Sequence, residues 1–302
     1  MTLTPKTFLT VGVSASARNI GAVERFLRGL PSDHDMTFVL VVGGHGNAGD
    51  LAATFGNMTP MRVMNAADGQ RLEKRTVYLA AEDGALSIKN GTFYLPPPSE
   101  ASDLRPADTL LSALAKDQGD HAAAVILAIP DGMLGAKAIK EQGGLTLAQA
   151  SDTASAESGF FHNALRESVI DITEDAERMG QRLADYARGF LLLADLERDD
   201  DHVDRILDAA RLSICAVLKD HTGHDFSGYK TKTFLRRVRR RMQLKNIERI
   251  EDYLDLFEKD EAEVDAFYRD LLINVTSFFR DAMAFEILAG DILPRIFKNK
   301  RA

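Results

Sequence analysis

Apolar residues along this chain follow two different rhythms. Over roughly the first 175 positions, short unbroken apolar runs alternate with stretches whose apolar residues recur every three or four positions. Phe8, Leu9, Val11 and Val13 read as a buried strand. Ile20, Val23, Phe26, Leu27 and Leu30 then recur at helical spacing until Pro31 stops the helix. Residues 38–42 read as a second buried strand closed by Gly43-Gly44, and residues 77–79 as a third. A hairpin pairs 86–88 with 93–95 through Asn90-Gly91, the turn residues such a reversal needs. A helix around Leu110 and Leu114 leads to a strand at 124–128. A short strand at 145–148 and a further step through Val169-Ile170-Asp171 complete the layer. This alternation predicts a doubly wound α/β domain, a mostly parallel sheet with helices on both faces.

From Glu174 onward the strand signals stop. A long helix over 176–196 carries Met179, Leu183, Tyr186, Phe190 and Leu193, and the polar run 198–202 interrupts the pattern. Helices are then expected at 206–218, 231–244, 250–257, 261–272 and 282–288. The reading is an α/β domain over 1–175, a connecting helix and linker over 176–202, and a small all-α helical domain over 203–302.

Composition narrows the partners. No apolar run approaches the ~20 residues of a membrane span, and the N-terminus carries no signal-peptide pattern. The single Cys215 excludes an internal disulfide framework and a multi-thiolate zinc site, so no metal is expected. A cytoplasmic protein without membrane insertion is predicted. The net charge of -8 argues against nucleic acid, yet residues 226–247 contain no acid and hold eight Lys or Arg. In that segment Phe234, Val238 and Met242 make one apolar stripe, while Arg236 with Arg240 and Arg237 with Arg241 stand four apart on the rest of the helix. Like charges at this spacing repel by roughly 0.2–0.5 kcal/mol per pair. A helix that tolerates several such pairs either serves an anionic partner or is neutralised by the acidic segment that follows it.

Asp225-Phe226-Ser227-Gly228-Tyr229-Lys230, then Arg236-Arg237-Val238-Arg239-Arg240-Arg241-Met242, resemble the opening of CheR-type chemoreceptor methyltransferases. The resemblance continues through Tyr253-Leu254 and the string Asn274-Val275-Thr276-Ser277-Phe278-Phe279-Arg280, and ends at Leu293-Pro294. It implies that Arg236, Arg237, Arg240 and Arg241 dock on chemoreceptor-like signalling proteins through their acidic helices. It also implies that Asn274, Thr276 and Arg280 edge an S-adenosylmethionine pocket; Asn274 and Thr276 could equally cap a following helix. The cofactor-binding sheet domain of that family would come downstream of this sequence. S-adenosylmethionine is therefore expected only with that domain present, and none is expected to bind this chain alone. Calorimetry showing micromolar binding would contradict this.

In the first half, Gly12-Val13-Ser14-Ala15-Ser16 follows a strand and precedes a helix, as a nucleophile elbow does. Phe26-Leu27 with Leu30-Pro31, Ala67-Asp68-Gly69, Lys116-Asp117-Gln118-Gly119 and Gly143-Gly144-Leu145-Thr146 accompany it. Together they resemble the catalytic domain of CheB-type chemoreceptor methylesterases. The resemblance implies a serine triad of Ser14, His45 and Asp131, which would act as nucleophile, base and orienter. Four departures weaken it. Gly43 or Gly44 stands where the histidine belongs, leaving His45 one or two residues late, and Ser16-Ala17 replaces a glycine pair. The approach to Asp131 is shortened to Ala128-Ile129-Pro130, and Phe160-Phe161 replaces a Met-Pro loop. The expectation is a chemotaxis-type signalling module resembling a fused methylesterase and methyltransferase. Its esterase site is degenerate and its methyltransferase incomplete, and it acts mainly by docking. The alternative is an active serine methylesterase that hydrolyses glutamate methyl esters on chemoreceptors.

Overall fold

The computed structural model describes residues 8–44, 48–80, 86–95, 105–127, 132–150, 169–196 and 200–272. Seven strands form one all-parallel sheet in the order β3-β4-β2-β1-β7-β8-β9. They are β1 (Thr10–Ser16), β2 (Thr37–Gly43), β3 (Arg62–Asn65), β4 (Thr76–Leu79), β7 (Ala122–Ile126), β8 (Leu145–Gln149) and β9 (Ile172–Glu174). A separate antiparallel hairpin joins β5 (Ser87–Lys89) to β6 (Thr92–Tyr94), with Asn90 and Gly91 both at positive φ in its turn. The chain builds outward from β1 to one edge and then returns to β7 on the other side. This reversal leaves a crevice at the carboxyl ends of β1 and β7, where sheets of this kind place their ligands.

Strand periodicity sorts the core into two faces. Val11, Val13 and Ala15 of β1 join Phe38, Leu40 and Val42 of β2, and Ala123 and Val125 of β7, beneath α1 (Ile20–Arg28). The alternate residues Val39, Val41, Ala124 and Ile126 face α3 (Pro106–Gln118) and α4 (Met133–Glu141). On that side the sheet is thin. Gly12 lies so close to α3 that a Cβ there would come 2.3 Å from Leu111 Cδ2.

The helix read as a connector is, over its first half, part of this core. α5 (Ala176–Leu196) buries Ala176, Met179, Leu183 and Tyr186 against the β1 face. Its Gly180 is pressed onto the end of α1, where a Cβ would meet the Gly29 carbonyl at 2.5 Å. Apolar residues at helical spacing look the same whether a helix spans a gap or covers a sheet, so the pattern alone did not separate the two. The polar run at 198–202 is also shorter as a break than it reads, because α6 (Asp200–Thr222) has already begun at Asp200. Sequence pattern missed α2 (Ala48–Gly56) and the edge strand β3, whose Arg62-Val63-Met64-Asn65 is at most half-buried and has no apolar run.

The helices α6, α7 (Thr231–Leu244), α8 (Ile250–Lys259) and α9 (Glu261–Leu272) enclose a third core. Phe234, Val238 and Met242 point into it as the stripe predicts, meeting Ile214, Tyr253, Phe257 and Phe267. Phe267 makes edge-on ring contacts with both Phe234 and Phe257. The helix expected at 282–288 lies outside the described residues.

Candidate functional site

Ser14 stands near the carboxyl end of β1, in the crevice, but not on a turn. β1 continues through Ser16, and Ser14 is in register with Val41 of β2 and Ile126 of β7. Its carbonyl accepts a 2.8 Å hydrogen bond from the Leu127 amide. The turn comes later, as one 3-10 turn over Ala17–Asn19 in which the Ser16 hydroxyl accepts from the Arg18 amide. The sharp exposed elbow expected after Gly12 is therefore absent, because β7 pairs with β1 as far as Ser14 and β2 holds it extended through Ser16. Ser14 is only 1% exposed.

Gly132 lies against Ser14. It precedes α4 in the left-handed region at φ 90, and a Cβ there would lie 3.0 Å from both Ser14 Cβ and Ile126 Cδ1. His45 and Asp131 lie outside the described residues. Asn274, Thr276 and Arg280 lie outside them too.

Both ends of α4 are held by charged side chains from other elements. At the N-terminus Gly132 offers no capping group, and the buried Asp108 of α3 accepts from the Gly135 amide at 2.9 Å. At the C-terminus Arg237 of α7 donates to the Lys140 and Glu141 carbonyls at 3.2 and 3.3 Å. A carboxylate at the positive end and a guanidinium at the negative end both complement the helix dipole.

Around Arg237 the two halves of the chain share a buried ionic cluster. Arg240 donates to the Gly144 carbonyl at 3.1 Å, to Asp270 of α9 at 2.6 Å, and to Asp171, the residue before β9. Lys140 of α4 pairs with the same Asp171 at 2.8 Å. Arg237 and Arg240 are 0% and 1% exposed. This corrects the expected docking face. Arg237 is spent on carbonyls of the sheet domain, and Arg240 on Asp171 and Gly144 of that domain and on Asp270 of α9, so their acceptors are supplied within the chain. Arg241 is mostly enclosed as well, bidentate to Glu263 at 2.8 and 2.6 Å. Arg236 is half-buried over Gly143.

Sequence reasoning missed Asp108, Lys140, Asp171, Glu263 and Asp270. One signal for two of them was available: Glu263 and Asp270 share a helix face with Val264, Phe267 and Leu271, all buried. An acid on an apolar face has a partner or is not charged.

Burial alone would raise the Asp171 carboxyl, but Arg240 and Lys140 outweigh it and bring its pKa down to about 2. A folded-state value below the unfolded one stabilises the protein above the ordinary value of 3.8, and that gain is lost as pH falls toward 2. Asp171 should therefore contribute about 2–3 kcal/mol of acid-sensitive stability. Denaturant titrations between neutral pH and pH 2 should show this limb in the natural sequence. In Asp171→Asn the limb should be flattened, and an unchanged limb would remove Asp171 as its source.

The description "CheB methylesterase" fits residues 11–183 of the chain, more than half of its 302 residues. The chain belongs to the CheB methylesterase family. Its CheB domain is followed by a match at residues 212–272 to the all-alpha domain of CheR methyltransferase. An uncharacterized 104.1 kDa protein of Rhodobacter capsulatus is 29% identical over 80% of this chain, which spans 28% of that protein. A protein-glutamate methylesterase/protein-glutamine glutaminase of Rhizobium meliloti is 24% identical over 59% of the chain, which spans 52% of it. The chain thus covers about a quarter to a half of the length of these relatives. The crystal structure of the Thermotoga maritima CheB methylesterase catalytic domain superposes with a TM-score of 0.51 at 24% identity. That superposition covers 59% of this chain and 98% of the other, and supports the CheB fold. Among the described residues, no helix is long and apolar enough to cross a membrane.

Proposed function

We propose that the chain is a chemotaxis-type signalling module in which a CheB domain with a degenerate esterase site and a CheR-type helical domain act together by docking on acidic helical signalling partners. The observation that supports this reading is the closure over Ser14. A serine nucleophile has to reach an incoming carbonyl and pass its proton to a base within hydrogen-bond reach. Here the serine is held inside an extended strand, 1% exposed, with Gly132 against it. Docking falls to the cations still at the surface, the exposed Lys230 and Lys232 with the half-buried Arg236. An electrostatic contact of this kind weakens with added salt.

The test is hydrolysis of methylated glutamate side chains on a receptor cytoplasmic fragment. The expected result is a low rate that Ser14→Ala leaves unchanged. A rate abolished by Ser14→Ala would establish the active serine methylesterase instead, since removing a triad member costs orders of magnitude.

A further inference from the structure

We infer that the helical domain holds the Ser14 crevice closed, with α4 as the connecting rod. This rests on the reading of Ser14 as a closed site and adds what closes it. α4 has nine residues, an axis of about 13 Å at the rise of an α-helix. Its two ends touch two different things. At one end Gly132 lies over Ser14, wedged also against Leu111, where a Cβ would meet the Cδ1 at 3.2 Å. At the other end the last carbonyls of α4 and the loop after it are held from the helical domain. Arg237 takes the Lys140 and Glu141 carbonyls, Arg240 takes that of Gly144, and the Arg236 stem lies over Gly143, where a Cβ would meet its Cδ at 3.4 Å. Between the two ends α4 rests on α3 at Gly135, where a Cβ would fall 2.4 Å from Leu111 Cβ. At the same turn the buried Asp108 carboxylate accepts from the Gly135 amide at 2.9 Å, so the first turn of α4 is held by α3 and its last turn by the helical domain. A packed helix moves as one body, so loss of the restraint on its last turn is felt at the residue before its first turn, which is Gly132.

Helix ends whose carbonyls lose their partners fray and shift, and local openings of this size precede global unfolding. Ser14 therefore reports on a contact made at the opposite end of α4, by residues more than 220 positions away in sequence. The contact is an autoinhibitory one in form. The same arginines that would face outward on a free helical domain are the ones that pin the rod.

The experiment needs a probe of access that does not depend on a catalytic base. Ser14→Cys in a Cys215→Ala background leaves one thiol, because Cys215 is the chain's single cysteine. Its reaction with a small aromatic disulfide is then timed in three forms of the full chain: this parent, Arg237→Ala, and Arg249→Ala. Arg249 lies in the helical domain, is 71% exposed in its ion pair with Glu251 and is not among the groups holding α4, so it controls for loss of an arginine without loss of the α4 contact. The expected result is a slow parent, a rate raised about tenfold or more by Arg237→Ala, and little change with Arg249→Ala. If Arg237→Ala does not fold, Arg237→Lys keeps the charge but loses the two-pronged donor, and a smaller acceleration is expected. A slow parent with no acceleration in the folded Arg237 variant overturns the inference alone. Equal acceleration in both arginine variants overturns it too. A parent that reacts as fast as an exposed thiol overturns the closed-site reading on which it rests.

Discussion

Arg240→Ala is expected to destabilise the chain by about 3–5 kcal/mol, the usual cost of removing one partner from a buried charge cluster. The guanidinium is 1% exposed and places donors on Asp171, Asp270 and the Gly144 carbonyl. Without it, two carboxylates at 2% and 3% side-chain exposure share one ammonium, Lys140, which reaches Asp171 at 2.8 Å and Asp270 only at 4.0 Å. Either a bare charge stays buried or a carboxyl takes up a proton, and both cost stability. Arg240→Lys should recover only part of the loss, since an ammonium cannot span three acceptors lying in different directions. Arg249→Ala is the comparison, because Arg249 is 71% exposed and its ion pair with Glu251 is worth at most about 1 kcal/mol. Denaturant unfolding at neutral pH decides the matter: if Arg240→Ala costs no more than Arg249→Ala, the cluster does not hold the protein together.

Glu263→Ala should be comparably damaging, about 3–5 kcal/mol, but confined to the helical domain. Glu263 is 1% exposed and accepts from Arg241 twice, from the Tyr253 hydroxyl at 3.1 Å, and pairs with Lys245 at 3.1 Å. Truncation leaves Arg241 enclosed without its carboxylate and deprives a buried phenol of its acceptor. Hydrogen exchange separates this from the Arg240 result. Amides of α7, α8 and α9 should lose protection while those of β1 and β2 keep theirs. Loss of protection in both regions at once would mean that Glu263 supports the whole chain.

These neighbouring arginines show where the sequence stops being informative. The strands were legible because a strand covered on both faces has to be a continuous apolar run, as 38–42 is. The inward stripe of α7 was legible because Phe234, Val238 and Met242 repeat with the helix. The charges around that stripe carried no such signature. Arg237 finds its acceptor 97 residues away and Arg240 finds Asp171 69 residues away. Those acceptors are either backbone carbonyls, which every residue has, or isolated acids in ordinary surroundings. Periodicity says that a side chain leaves the helical core. It does not say whether solvent or another domain receives it. The same limit applies to Ser14: small residues after a strand fit a sharp turn and an extended continuation equally well. Only the pairing of β1 with β2 and β7 distinguishes them.

The ionic cluster also bears on how such a chain could have been assembled. Lys140 and Asp171 belong to the sheet, and Arg240 and Asp270 belong to the helices. Each half therefore brings one cation and one anion to this cluster, and the helices add Arg237, whose acceptors are backbone carbonyls of the sheet domain. Halves whose carboxylates are each matched can be parted, or rejoined to other neighbours, with Arg237 the cation that then needs new acceptors. A seam built in this way is a tolerant place for a gene fusion to have occurred and for recombination to exchange one half for another.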